Sequence, residues 1–402
     1  MDRELTIGEV YRAQMELRDL ARHPKIVGPT ALSDNCEIFL KPENLQHTGA
    51  FKLRGAAYKI SQLTDEEKKR GVIACSAGNH AQGVALSATR NGIKSLICLP
   101  QGAPISKIEA TKRLGAEVCL VPGVYDDAYA KALELRDKHG YTFVHPFNDP
   151  LVIAGQGTIG LEILEEMPDV QAIVVPVGGG GLIAGVAFAV KTLRPDIKVY
   201  GVQAAGAASM VESVKKGERV HLDSVHTIAD GIAVKEPGDL TFDLVSKYVD
   251  EMVSVTDDEI AGAILALIEK QKLVAEGAGA AAVAAAMYGH LPVGGQKVVC
   301  LVSGGNIDVN TLNRVITRGL ARNGRTCQFE IEVNDKPGVL SAVLKVVADQ
   351  GGNILSVNHE RISAATQVNS CILHLELETL NADHIARIHD ALVAAGFPPK
   401  SE

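Results

Sequence analysis

The stretch Thr48-Gly49-Ala50-Phe51-Lys52-Leu53-Arg54-Gly55-Ala56 sets one amine between an aromatic and an aliphatic side chain, where small residues run into a helix-compatible pattern. A single lysine is ordinarily a solvated surface charge. Here Phe51 and Leu53 flank it with apolar bulk. Burial disfavours the charged form and lowers the amine's pKa, which suits a nucleophile, a Schiff-base partner or a base. Two distant turns give the segment its weight: Ser76-Ala77-Gly78-Asn79-His80 and Gly178-Gly179-Gly180-Gly181.

Outward from Lys52, strand-like and helix-like runs alternate. Residues 37–41 read as a strand before it, and Thr6-x-x-Glu9 has capping-box spacing ahead of a helix to about Ala21. After it, strands are predicted at 72–75, 95–99, 117–121, 141–144, 172–176, 198–203 and 297–302. Between them helices are predicted at 79–91, 104–114, 124–139, 154–166, 182–193 and 257–270. Apolar strands joined by helices of this length imply parallel βαβ units with helices on both faces. The rule changes near Arg325. Residues 326–333 and 368–378 alternate at period two, and helices are predicted at 337–350 and 381–395. This is an α+β pattern large enough for a separate small domain, with Arg322-Asn323-Gly324-Arg325 as linker. The expected division is 1–322, with a smaller subdomain inserted at about 46–150, and 323–402.

Composition narrows the classes. With 402 residues, 46% of them hydrophobic and 22% charged, the chain reads as an ordinary globular protein of two or three domains. A net charge of -8 without a basic block gives no reason to bind nucleic acid, and 4% aromatics without Trp give no stacking platform. Seven cysteines are scattered without a C-x-x-C pair or metal-ligand spacing. That pattern, with a charged N-terminal decapeptide, predicts a reduced, cytoplasmic protein and no bound metal. The alanine-rich run 274–288 is interrupted by Glu276 and too short to span a bilayer, so no membrane partner is expected.

Three turns can carry chemistry. The four glycines at 178–181 follow a strand and precede a helix starting at Leu182. Bare backbone there lets N–H groups approach an anion, at a helix end that favours negative charge. A plain tight turn is the alternative, and a dinucleotide fold competes, though no G-x-G-x-x-G stands in the first βα unit. The turn Ser76, Ala77, Gly78, Asn79 and His80 offers hydroxyl, backbone and amide donors for a substrate carboxylate. A simple N-cap would use the same residues, and His80 reads as structural. Ser303-Gly304-Gly305-Asn306 ends a strand, where a neutral hydroxyl can pair with a ring nitrogen.

Together these turns supply an amine, a phosphate cradle, a carboxylate clamp and a ring-nitrogen partner. The sequence resembles the fold-type-II pyridoxal-phosphate enzymes and, among them, the threonine dehydratase (threonine ammonia-lyase) family. The resemblance runs over about residues 5–320. It rests on Lys41-Pro42-Glu43-Asn44-Leu45-Gln46, the Lys52 segment, SAGNHAQG at 76–83, AGQGTIGLEI at 154–163, VGGGGLIAG at 177–185 and SGGN at 303–306. It implies pyridoxal 5'-phosphate as a Schiff base on Lys52, with Phe51 beside the ring and Asn79 at the phenolic oxygen. Gly178, Gly179, Gly180, Gly181 and Leu182 would hold the phosphate, Ser303 the ring nitrogen, and Ser76 to His80 the substrate carboxylate. Glu276 falls in a family-like AEGAGA segment near the cofactor. The implied activity is conversion of L-threonine, and more slowly L-serine, to a 2-oxo acid and ammonia.

Two departures separate the chain from serine racemases in that family. Ala77 stands where they carry the serine that serves the opposite face. Gly201-Val202-Gln203 through Ser209 lacks their acidic metal ligands, leaving only a monovalent cation held by carbonyls. A dehydrogenase would need an acid about twenty residues beyond its glycine loop, and Asp196 lies in a loop before the strand. The C-terminal segment resembles an ACT domain through Asn334-Asp335-Lys336-Pro337-Gly338-Val339-Leu340 and Gly351-Gly352-Asn353-Ile354. That likeness implies an amino-acid effector at Asn334, Pro337, Gly338 and Asn353, with the catalytic unit under its control. Pro398-Pro399 is poor strand material. The last strand of the module is therefore expected to be missing or supplied by another chain, which predicts a homo-oligomer.

Overall fold

A hairpin starts the larger sheet, β1 (Val27–Thr30) running antiparallel to β2 (Glu37–Lys41). The chain then leaves to build a second sheet from β3 (Val72–Cys75), β4 (Ser95–Pro100), β5 (Glu117–Val121) and β6 (Thr142–Phe143). These four are parallel, in the order β5-β4-β3-β6. It returns for β7 (Ala172–Pro176), β8 (Lys198–Ala204), β9 (Glu251–Val255) and β10 (Lys297–Leu301). The six-stranded order is β1-β2-β10-β7-β8-β9, and every pair beyond the hairpin is parallel. Every residue of β3 and β7 is buried, as strands covered by helices on both faces must be. The computed structural model describes residues 5–361 and 369–400. It divides into two units, Met1–Asp308 and Val309–Glu402, and the helix Val309–Arg322 belongs to the second.

In the second unit β11 (Thr326–Asn334), β12 (Asn353–Glu360) and β13 (Ser370–Glu378) form an antiparallel sheet ordered β11-β13-β12. Helices Val339–Asp349 and Ala382–Ala394 close its core with Val343, Val347, Ile388 and Leu392 against Ile331, Leu373 and Leu375. The segment 322–325 is an ordered turn within this unit. Thr379 holds it, donating from Oγ1 to Gly324 O at 2.6 Å and from N to Arg325 O at 2.8 Å.

Several boundaries differ from the sequence reading. The first helix is Ile7–Glu16, short of the expected Ala21; Thr6 caps it, and the buried Glu9 carboxylate accepts from Tyr58 Oη at 2.5 Å. The helix expected from 154 begins at Pro150, where Asp149 caps Leu151 N at 2.8 Å and proline occupies the first turn. The helix expected to 270 ends at Ala266 and continues as a π turn over Leu267–Gln271. Strands β1, β9 and β12 were not anticipated. Val368, where the sequence reading starts the last long strand, lies outside the described residues. The last strand of the module is absent among the described residues, as expected, and one bridge stands in its place: Pro399 pairs with Ile331, and Lys400 N donates to Glu330 O at 2.7 Å. A second proline cannot donate to a ladder, so the returning chain makes a bridge rather than a strand.

Lys52 opens the helix Lys52–Ser61, and glycine fixes where that helix lies. A Cβ on Gly155 of helix Pro150–Glu166 would sit 2.7 Å from Gly55 Cα, so the two helices touch backbone to backbone. Among the described residues no helix is long and apolar enough to cross a membrane.

Candidate active site

The loop before Lys52 is stitched to the end of β10. Phe51 N donates to Ser303 O at 3.0 Å, and Gly305 N donates to Gly49 O at 2.9 Å. Lys52 Nζ donates to Pro146 O at 2.7 Å and stands 5.2 Å from the centre of the Phe51 ring. Burial pushes the amine down to about 8, against the opposing pull of the Glu276 charge.

The glycine loop lies between β7 and the helix Gly181–Leu193. Its outer side is packed solid. A Cβ on Gly179 would lie 2.5 Å from the Phe147 ring, and one on Gly181 would lie 2.8 Å from the Phe147 backbone. Gly180 has a φ of +97, and a Cβ there would meet Met210 Cε at 2.7 Å. Thr241 Oγ1 fixes the loop further, donating to Gly179 O at 2.6 Å. The inner side faces a cavity of about 1020 Å³ lined by Lys52, Phe51, Ser76 to His80, the four glycines, Leu182, Glu276 and Ser303. The first N–H groups of a helix have no partners within it, so the loop presents donors to an anion.

The 76–80 turn enters the helix Asn79–Arg90. Ser76 Oγ accepts from Gly78 N at 3.2 Å. Asn79 Nδ2 donates to Glu276 Oε1 at 2.6 Å, and its Oδ1 accepts from Asn306 Nδ2 at 2.8 Å. Asn306 Nδ2 also donates to Thr48 O at 2.7 Å, closing a chain from Glu276 to the loop before Lys52. Burial and the Asp230 charge push Glu276 up to about 7, opposed by the Asn79 hydrogen bond and the Lys107 and Lys52 charges. His80 Nε2 pairs with Val144 O at 2.8 Å, and burial pushes the ring down to about 3. It is neutral and structural. Ser303, 2% exposed, donates from Oγ to Ala278 O at 3.3 Å.

Other cavity residues escaped the sequence reading. Lys107 Nζ pairs with Asp230 Oδ2 at 2.6 Å, and Arg219 Nη1 with Glu236 Oε1 at 3.1 Å. His145 packs edge-on to Phe147 at 4.7 Å, accepts from Asn148 N at 2.8 Å and is pushed down to about 4 by burial and the Lys52 charge. Lys107 comes from the helix Ile105–Arg113, Asp230 from a short helical turn and the others from loops, and no spacing in the sequence marks them. Only the prolines around Phe147 hint that this segment is a rigid wall.

The effector residues are not gathered as a set. Asn334, Pro337 and Gly338 share the turn before helix Val339–Asp349, where Gly338 has a φ of +91. Asn353 pairs with Glu378, whereas Asn334 pairs with Ser370 at the other end of β13. One chain thus places Asn353 at the far end of the sheet. In the 201–209 stretch, buried Gln203 accepts from Val211 N at 2.9 Å.

The donor set fits pyridoxal phosphate: a glycine cradle that any Cβ would crowd, an enclosed amine with depressed pKa, and a neutral hydroxyl at the opposite strand end. Residues 25–304 match the pyridoxal-phosphate dependent enzyme family, and residues 322–395 match the ACT domain. An L-threonine ammonia-lyase of Thermotoga maritima is 51% identical over 395 residues, 98% of each chain. The structure of threonine deaminase isoform 2 from Solanum lycopersicum superposes with a TM-score of 0.74 at 40% identity, covering 77% of this chain and 92% of that one. Maize serine racemase superposes with a TM-score of 0.73 at 34% identity, covering 79% and 98%. The chain belongs to the pyridoxal-phosphate dependent enzymes, in the branch shared with the L-threonine ammonia-lyases, and carries an ACT domain at its C-terminal end.

Proposed function

We propose that the chain converts L-threonine to 2-oxobutanoate and ammonia, and L-serine more slowly to pyruvate, under control of an amino-acid effector. The observation that carries this reading is the enclosed Lys52 amine sharing one cavity with the glycine loop and Ser303. Bound pyridoxal phosphate supplies an electron sink for the negative charge that develops at Cα. Lys52 would hold it, Phe51 would pack beside its ring, Asn79 would meet its phenolic oxygen and Ser303 its ring nitrogen. The N–H groups of Gly178, Gly179, Gly180, Gly181 and Leu182 would take the phosphate.

The chain's own groups then divide the work. Ser76, Ala77, Gly78, Asn79 and His80 clamp the substrate carboxylate at a helix start and orient Cα–H toward Lys52. A freed Lys52 amine with a pKa about 8 accepts that proton near neutral pH. The β-hydroxyl leaves as water, and hydrolysis of the unsaturated product gives the 2-oxo acid and ammonia. His80, held uncharged by burial, adds no positive charge to the carboxylate clamp. Ala77 brings no proton to the opposite face, which favours elimination over racemisation.

Product analysis from L-threonine and both serine enantiomers tests the reading. The expected result is 2-oxobutanoate, with pyruvate from L-serine at a lower kcat/KM and no D-serine. Appreciable D-serine would overturn it. For the ACT domain, we place the effector at the turn of Asn334, Pro337 and Gly338, with isoleucine first among candidates and the protein a homo-oligomer. A coupling of ~1–3 kcal/mol is expected between effector and threonine.

A further inference from the structure

The second unit carries a cluster that the proposed reaction leaves unused. Asp335 follows the last residue of β11, His359 lies in β12 and Cys371 in β13. A carboxylate oxygen, a ring nitrogen and the thiol sulfur of these residues all lie within 4.8 Å of one another. Sheet register explains the meeting. His359 pairs with Leu373, so its side chain lies on the same sheet face as Cys371, one diagonal step away. Asp335 folds over the end, held there by its own N–H donating to Asn369 O at 2.9 Å.

Two of the three donors are withdrawn from water, and Asp335 closes the group from the exposed side. His359 Nε2 is out of contact with water, has no hydrogen-bond partner among the described residues, and stands 3.7 Å from Asp335 Oδ1. Cys371 is 1% exposed, and its sulfur meets only a weak acceptor contact, Val333 O at 3.7 Å. Arg361 Nε holds Asp335 Oδ2 at 2.9 Å, which leaves Oδ1 directed at the histidine. A buried nitrogen left unpaired costs free energy unless something else satisfies it.

We propose that Asp335, His359 and Cys371 form a site for a divalent transition metal, zinc foremost, with the fourth position open. Mixed oxygen, nitrogen and sulfur donors suit zinc, whereas calcium and magnesium demand oxygen alone. Tetrahedral zinc would set these atoms roughly 3.3–3.8 Å apart, so small side-chain rotations close the present spacing. Binding displaces the Cys371 proton to solvent and needs neutral His359, so affinity falls as pH falls. The metal would tie together the ends of three strands beside the turn at 334–338. The sequence hid this because its spacings, 24 and 12 residues, match no ligand motif; antiparallel pairing creates the proximity.

The test uses the full-length holoenzyme, freed of metal with a chelator and titrated with zinc or cobalt alone. One zinc per chain should survive gel filtration. Cys371→Ser and His359→Gln should each weaken binding at least about 10-fold, while Cys327→Ser, a thiol elsewhere on β11, should not. Cobalt should give a thiolate-to-metal band in the wild-type difference spectrum that Cys371→Ser lacks. Failure of the wild type to retain zinc, absence of that band, or wild-type affinity in both ligand variants would overturn the proposal.

Discussion

Lys52 and Arg54 stand two residues apart on one helix, Arg54 fully buried and Lys52 half-buried at the cavity wall, and their surroundings could hardly differ more. Arg54 is fully paired. Its Nε and Nη2 donate to Glu43 at 2.9 and 2.8 Å, and Nη2 donates to Glu162 Oε2 at 2.9 Å. Glu162 is shared with Lys41 at 2.8 Å and His23 at 2.9 Å. These charges hold Glu162 well below the usual carboxylate range despite its burial. Lys52 has a carbonyl, a ring face and the partly protonated Glu276 instead, and its pKa falls. A buried charge with matched partners is architecture. One left under-paired is poised to change its protonation state, which is what a catalytic base must do.

The largest effect expected from breaking this contrast is on chemistry. Lys52→Ala should lower turnover by about 10^4-fold or more, with little change in the unfolding midpoint. Steady-state rates alongside urea unfolding check both halves; a variant that loses stability and keeps activity would reverse the two roles. Arg54→Met should do the opposite, costing about 3–5 kcal/mol of stability because Glu43 and Glu162 are left buried without their partner. The same network gives a pH sign. Glu162's folded pKa is depressed, so its stabilisation is complete above the unfolded carboxylate pKa and is lost as pH falls below it. Without Arg54 that depression is lessened, so the stability deficit of Arg54→Met should be largest above the carboxylate range and shrink as pH falls through it.

Glu276→Gln should produce the smallest change. Ionised Glu276 raises the Lys52 pKa, so its removal should move the acidic limb of the kcat/KM profile, the rise of activity as Lys52 loses its proton, below about 8. A shift to higher pH would mean that Glu276 acts on Lys52 other than by its charge.

The catalytic centre was legible because its parts are backbone turns at strand ends, and such turns leave compositional marks: four glycines in a row, Ser-Ala-Gly-Asn-His, Ser-Gly-Gly-Asn. Groups that reach the cavity from outside those turns left none. Lys107, Asp230, His145 and Phe147 are placed by tertiary packing alone. Glu9 shows the same limit in the fold, since capping-box spacing could not reveal that Tyr58 competes for its carboxylate. At the C-terminal edge the missing strand was legible, and the bridge that meets β11 in its place was not. Proline forbids a strand there, but a single bridge from Pro399 needs no ladder.

The account rests on the amine of Lys52 being the group that carries the cofactor, and borohydride reduction followed by peptide mapping measures this directly. Reduction of the visible-absorbing holoenzyme should abolish the visible band and leave the pyridoxyl label on the peptide containing Lys52, in one equivalent per chain. A label on any other lysine, or no label with the band intact, would contradict the account.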